Sequence, residues 1–411
     1  MNGTTRSPLA PAIIAELPSV GGVNLGAVGA GIKYKDRNDL MLIEFVPDTT
    51  VSGVLTRSTT ASAPVIWCRE NLAQGRARGL IVNSGNANAF TGTVGTKHVK
   101  SMCSAVASCM DCDPAKVFIA STGVIGEFLP IDNITSNIEP LHRSLSTEGW
   151  KEASEAIMTT DTFPKVATRK LNIAGTPVVL NGFAKGSGMI EPDMATMLAF
   201  IFTDAAIPRD ILQLLLVAAN ENSFNAITVD SDTSTSDTCL MFATGAAGNP
   251  LPDSVSDPVL KEFLVGVADL MQDLAIQVVK DGEGATKLIK VTVTGAEDDR
   301  CAKRIAKAIA NSPLVKTAIA GEDANWGRVV MAVGKSGEKL SMTDLKISFG
   351  GVLITKGGRR VDDYEESQVT QHLKGQEIEL EVDLGVGTGN SVVWTCDLTH
   401  GYISINADYR S

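Results

Sequence analysis

The residues best able to do chemistry stand at an abrupt border. In "MIEPDMATMLAF", residues 189 to 200, two carboxylates and a proline precede Thr196, and the apolar run Met197-Leu198-Ala199-Phe200-Ile201-Phe202 follows it. A hydroxyl is a weak nucleophile and needs a base. The histidines offer none: His98 falls on an apolar helical stretch, His142, His372 and His400 lack a triad or metal context, and no G-x-S-x-G elbow is present. One solution is a threonine that becomes a chain end, so that its own α-amine, with a reference pKa of roughly 7.7–8.0, serves as the base. That requires the Ala195–Thr196 bond to be cut. The Thr196 hydroxyl would attack the Ala195 carbonyl and the resulting ester would hydrolyse. A small residue before the nucleophile suits such a turn, and a strand after it would anchor the new terminus. The competing reading is a β-former in an ordinary place at the start of a strand.

Other motifs carry less. "GVGTGN" (Gly385 to Asn390) lacks the third glycine of a dinucleotide loop and leads into a strand, so it reads as a tight turn. "GGVNLGAVGAGIK" has no Lys-Ser/Thr of a phosphate loop. "VDSDTSTSDT" (Val229 to Thr238) has Thr235 and Met241 where a calcium loop needs Gly and Glu. It reads as a polar turn, although its hydroxyls beside buried strands would also line a cleft. His98, Cys103, Cys109 and Cys112 share one apolar helical stretch and read as core, and no metal site is expected.

Strand-type and helix-type segments alternate around these residues. "NDLMLIEFV", "RGLIVNSG" and "KVFIAS" read as strands, "TKHVKSMCSAVASCM" as a helix, and "TRKLNIAGTPVVLNGFAKG" as a hairpin. "TMLAFIFTD" is a buried strand by its continuous apolarity. "IPRDILQLLLVAANEN" is a helix with Pro208 in its first turn. "DPVLKEFLVGVADLMQDLAIQVVKDG" and "DDRCAKRIAKAIANSP" are further helices, the latter carrying Cys301, Ile305 and Ile309 on one face. "KLIKVTVTG", "GRVVMAVG", "DLKISFGGVLI", "EIELEVDLG" and "VVWTCDLTHGYISINADY" read as strands. The class is α/β or α+β, with helices covering sheets.

Bulk properties set outer bounds. A chain of 411 residues with 44% hydrophobic and 20% charged residues builds a substantial core. The net charge of −11, with no basic stripe, argues against a nucleic-acid partner, and an anionic ligand would need a local Lys or Arg. No apolar stretch is long enough to span a bilayer and no signal peptide is read. The odd, scattered set of 7 cysteines fits a reducing cytoplasm.

With those residues in view, "KGSGMIEPDMATMLAFIFTDA" resembles the signature of the ornithine acetyltransferase (glutamate N-acetyltransferase) family of arginine biosynthesis. "GIKYKDRNDLMLI", "VNSGNANAFTG", "ASTGVIGEFLP", "IMTTDTFPK", "DSDTSTSDT", "KDGEGATK", "DANWGRV" and "NADYRS" are similar to further family blocks, in the family's order, so the resemblance spans essentially the whole chain. It implies self-cleavage into an α fragment, 1–195, and a β fragment, 196–411, with a C-terminal α/β subdomain from about 285. It implies a layered fold like that of N-terminal-nucleophile hydrolases and an α2β2 assembly. It implies ping-pong acetyl transfer from N2-acetylornithine to glutamate through an acetyl ester on Thr196, without a cofactor; some members also take acetyl-CoA. The family's oxyanion pair matches Thr122 and Gly123, its substrate-contacting residues match Thr162, Lys185, Glu283, Asn406 and Ser411, and its cleavage site matches Ala195 and Thr196. Lys185 would hold a carboxylate and Glu283 the ornithine ammonium. Two departures stand beside the nucleophile: Glu191, where a small residue or histidine is expected, and Asp193, where Asn is frequent. A carboxylate so close would slow self-cleavage or change its pH dependence. The rival readings are an amidase or aminopeptidase using the same nucleophile, which would transfer to water, and a non-enzymatic ligand-binding protein in which Thr196 is merely structural.

Overall fold

The computed structural model describes residues 5–191 and 197–407. In chain order the first part contains β1 (Val23–Val28), β2 (Leu40–Leu55), α1 (Ala63–Asn71), β3 (Arg76–Asn86), α2 (Gly92–Met110), β4 (Val117–Val124), α3 (Ile131–Arg143), α4 (Trp150–Ala156), β5 (Lys165–Ile173), β6 (Thr176–Lys185), β7 (Leu198–Thr203), α5 (Arg209–Glu221), β8 (Thr238–Ala243) and α6 (Lys261–Lys280). The second contains β9 (Leu288–Ala296), α7 (Asp299–Ala310), α8 (Pro313–Ala320), α9 (Trp326–Gly334), β10 (Lys346–Phe349), β11 (Val352–Lys356), β12 (Arg359–Arg360), α10 (Glu366–Leu373), β13 (Glu377–Asp383), β14 (Gly389–Cys396) and α11 (His400–Ala407).

The first part is an 8-stranded mixed sheet in the order β4-β3-β2-β8-β7-β6-β5, with β1 on β2. β3–β4 and β7–β8 run parallel, so each pair needs a crossover, which α2 and α5 supply. The central strand β7 is buried at every position, as a strand covered on both faces must be. Side chains that alternate along it feed different cores. Leu198, Phe200 and Phe202 join the core beneath α1, α2, α3 and α4, while Ala199 and Ile201 join the core beneath α5 and α6. A layered α/β architecture results, with helices on both faces of the sheet.

The first of these cores is organised by aromatics. Phe45 stacks on Phe242 at 4.4 Å, Phe202 lies 5.7 Å from Phe242 and 5.3 Å from Phe183, and Trp150 meets Phe202 edge-on at 5.4 Å. The strands beyond residue 288 form a 6-stranded sheet, β12-β11-β10-β13-β9-β14, with its own core against α7 and α9. Asp298 caps α7 by accepting from the Cys301 amide at 2.7 Å, and Cys301, Ile305 and Ile309 face inward.

Three sequence expectations are corrected. "GRVVMAVG" is the helix α9, because Val329, Ala332 and Val333 are buried at helical spacing, which a short apolar run does not distinguish from a strand. Residues 389–407 form β14 followed by the helix α11, although the β-branched Ile403 and Ile405 favour a strand. Pro208 is the N-cap of α5, one place before its first turn. Since Phe202 is wholly buried among four aromatic partners, Phe202→Ala should cost about 3–5 kcal/mol, read as a lowered midpoint in guanidinium unfolding.

Candidate active site

Strand register brings the candidate residues together. Gly85 pairs with Gly123 at the ends of parallel β3 and β4, and Lys185 pairs with Leu198 where antiparallel β6 ends and β7 begins. A cavity of about 610 Å³ opens at these strand ends, and Thr122, Gly123, Lys185, Glu283 and Asn406 all line it. Ala195, Thr196 and Ser411 lie outside the described residues. Their neighbours define where the chain comes and goes: Ile190 and Met197 both line the cavity.

The polar end of β3 fixes the Thr122–Gly123 corner. Ser121 donates to Asn83 at 2.6 Å, Asn83 donates to the Asn86 carbonyl at 2.9 Å, and Asn86 reaches the Glu127 carbonyl at 3.1 Å. The Ala87 amide closes the corner on the Val124 carbonyl at 2.9 Å. Gly123 sits at φ +132°, and a Cβ there would lie 2.3 Å from the Gly85 carbonyl carbon and 2.5 Å from the Asn86 nitrogen. Only glycine fits, because both obstacles are backbone.

Lys185 comes next. Its ammonium donates to the Thr122 hydroxyl at 3.2 Å and to the Thr159 hydroxyl at 2.8 Å, and stands 3.9 Å from Asp161. Burial pushes the Lys185 ammonium below its ordinary pKa, and Asp161 opposes that. Glu283 forms the opposite charge on the wall. Burial pushes its carboxyl up, opposed by hydrogen bonds from Asn406, at 2.7 Å, and from Thr160. Tyr402 and Asn406 come from α11, so the last described helix closes this side.

Residues 229–238 brace the described chain on both sides of residues 192–196. Asp230 accepts from the Met189 and Ile190 amides at 2.7 and 2.8 Å, and the Glu191 amide donates to the Asp232 carbonyl at 2.9 Å. On the far side, the Thr238 amide donates to the Met197 carbonyl at 2.9 Å. Ser234, Thr235, Ser236 and Asp237 line the cavity between these points, so the segment is cleft wall as well as turn. Glu191, the departure noted in the sequence, accepts from Asn311 at 2.7 Å and lies 3.8 Å from Lys307, both on the far lobe. Its charge is engaged there.

One expected contact is placed elsewhere. Thr162 does not line the cavity: its hydroxyl donates to Asp281 at 2.5 Å and accepts from the Ser7 amide at 2.9 Å, a structural tie. From the same T-T-D-T block, Thr159 and Thr160 form the wall instead. The sequence offered several hydroxyls within four residues, and only the path of the turn selects among them.

Comparison with known proteins places the whole chain. The chain matches the ArgJ family over residues 24–411. It is 56% identical over 405 residues to the arginine biosynthesis bifunctional protein ArgJ of Gluconobacter oxydans, covering 98% of this chain and 95% of that one. It is 53% identical to the protein of the same name from Rhizobium meliloti, over the full length of both. Among solved structures, the arginine biosynthesis bifunctional protein of Bacillus halodurans matches with a TM-score of 0.50 at 42% identity, covering 52% of this chain and 99% of that one. Fold and relatives thus define a layered α/β acetyltransferase. The chain belongs to the ArgJ family.

The Gly123 corner can be tested against a built-in control. Gly126 also has a positive φ, +88°, but a Cβ there would meet nothing within 4 Å. Gly126→Ala should therefore show only the backbone cost, about 1–2 kcal/mol, and Gly123→Ala clearly more. Thermal denaturation of the two variants beside wild type measures the difference.

Proposed function

We propose that the chain moves the acetyl group of N2-acetylornithine to glutamate, yielding ornithine and N-acetylglutamate, as an acetyltransferase of arginine biosynthesis working in the cytoplasm without a cofactor. Among the described residues no helix is long and apolar enough to cross a membrane. The reaction runs through Thr196 after the Ala195–Thr196 bond is cut. The Thr196 amine takes the hydroxyl proton, the oxygen bonds to the acetyl carbon, and the carbonyl oxygen becomes an oxyanion facing Thr122 and Gly123. Collapse breaks the carbon–nitrogen bond, and the same amine returns its proton to the departing ornithine nitrogen. Glutamate's amine then attacks the acetyl ester, and the Thr196 oxygen leaves with the proton restored. One acetyl amide replaces another, so no external energy source is needed. Acetyl-CoA would acylate the same oxygen as an alternative donor.

The observation that carries this reading is the meeting of Thr122, Gly123, Lys185 and Glu283 in one cavity whose wall includes Met197, the residue joined to Thr196. A positive group and a negative one share its wall, as an amino-acid substrate with a carboxylate and an ammonium requires. The solved Bacillus halodurans chain, matched over 99% of its length by 52% of this one, has the proportion of a fragment from a cut after residue 195.

The sheet explains why cut fragments would stay together. β7 and β8, from the β fragment, lie between β2 and β6 of the α fragment. The fragments therefore share one ladder, and two such pairs would build the α2β2 assembly. A denaturing gel should show two bands of similar size for wild type and one for Thr196→Ala. Purified wild type should transfer acetyl from acetylornithine to glutamate far faster than to water. A single band in fully active protein, or hydrolysis without transfer, would overturn the reading.

A further inference from the structure

The mechanism above leaves a buried charge without a task. Asp161 has no exposed side-chain surface. One carboxylate oxygen accepts from the Lys165 ammonium at 2.5 Å and from the Gly186 amide at 2.7 Å. The other accepts from the Thr159 amide at 2.9 Å and faces the Lys185 ammonium at 3.9 Å. Burial disfavours its charge, yet Lys165 and Lys185 outweigh that and hold the carboxyl well below its usual range. Lys165 is itself completed by Asp281, which also fixes the Thr162 hydroxyl and amide.

These contacts converge on one geometry. Asp161 ties the backbone of Thr159, one partner of the Lys185 ammonium, to the Gly186 backbone next to Lys185 itself, so the ammonium's seat against Thr122 and Thr159 is set through it. A threonine hydroxyl has a single proton. When its oxygen accepts from an ammonium, that proton is left for another acceptor, and the hydroxyl becomes the stronger donor. Thr122 is in this position.

We propose that Asp161 is a positioning residue for acetyl transfer that acts through Lys185: its carboxylate keeps the ammonium charged and seated against the Thr122 oxygen, so that the Thr122 proton points to the oxyanion. The inference rests on the functional reading above. The charged groups facing Lys185 are Asp161 from the turn after α4, Lys165 on β5, Glu283 after α6 and Asp237 before β8. Asp161, Glu283 and Asp237 favour the ammonium and Lys165 opposes it, and Asp161 is the strongest of the favourable charges. Removing its charge therefore lowers the pH at which Lys185 loses its proton.

A double-mutant cycle on the cleaved, assembled protein tests this, with Asp161→Asn, Lys185→Met and the double variant assayed for transfer from acetylornithine to glutamate. Each single variant should lower kcat by about 10–100-fold with KM changed less than about threefold. The double should be no slower than Lys185→Met alone, because one residue acts through the other. In Asp161→Asn the basic limb of the kcat–pH profile should move to lower pH by at least about one unit. Losses that multiply in the double, or a basic limb that stays in place, overturn the proposal. If Asp161→Asn does not accumulate as folded protein, Asp161→Glu replaces it: the charge is kept but the carboxylate is displaced, so kcat should still fall while the basic limb moves less than in Asp161→Asn, whereas a wild-type kcat overturns the role. A wild type that transfers no acetyl sinks the functional reading itself, while a wild type that transfers with a multiplicative cycle sinks only the role of Asp161.

Discussion

The pairing of Lys185 with Leu198 across β6 and β7 is the constraint on which the site depends. It sets the two ends of the connecting segment opposite each other at the sheet's margin, over the cavity that Thr122 and Gly123 enter from β4. A slip of one residue would exchange the faces, taking Lys185 away from the Phe183 side and sending it toward the core occupied by Ala184. The aromatic packing of Phe183, Phe200 and Phe202 makes such a slip costly, since each ring fills a place that the alternate residues, Ala184, Ala199 and Ile201, cannot fill. The core thus enforces the register, and the register places the chemistry.

Charge inside this protein is arranged locally, against the global field. The chain carries a net charge of −11, yet buried ammoniums stand at the head of the cavity. They persist because each has a carboxylate partner: Lys165 lies between Asp161 and Asp281, and Lys185 lies near Asp161. Removing one member of such a group strands the others in a low-dielectric interior, which is far costlier than losing a surface pair. The far lobe contributes by contact as well. Asn311 holds Glu191, and the Lys307 ammonium donates to the Ile227 carbonyl at 2.6 Å, so the second sheet's helix steadies the chain up to residue 191.

Much of this was legible in the sequence, where a local pattern carried the information. The buried run of β7, the β5–β6 hairpin with its Ala174–Gly175 turn at positive φ, and the amphipathic α7 follow from periodicity and turn chemistry alone. Thr122, Gly123, Lys185, Glu283 and Asn406 came from a family resemblance, and they share one cavity. Thr162 and Asp161 show the limit. Within T-T-D-T every side chain is a polar turn former, and only the fold decides that Thr159 and Thr160 face the cavity, Thr162 ties down Ser7, and Asp161 is buried between lysines. Helix α11 departs from its strand-like composition for a related reason, since tertiary contacts such as Asn406 on Glu283 and Thr399 on the Gly284 carbonyl override the strand preference of its residues.

The most direct measurement is to mix the protein with acetyl-labelled N2-acetylornithine in the absence of glutamate, quench in acid, digest, and locate the label by mass spectrometry. The account predicts an acetyl ester on the side chain of Thr196 in a peptide that begins at that residue, and its disappearance on a brief chase with glutamate. Label confined to any other residue, or a peptide that runs unbroken from Ala195 into Thr196 in protein turning over at full rate, would contradict it.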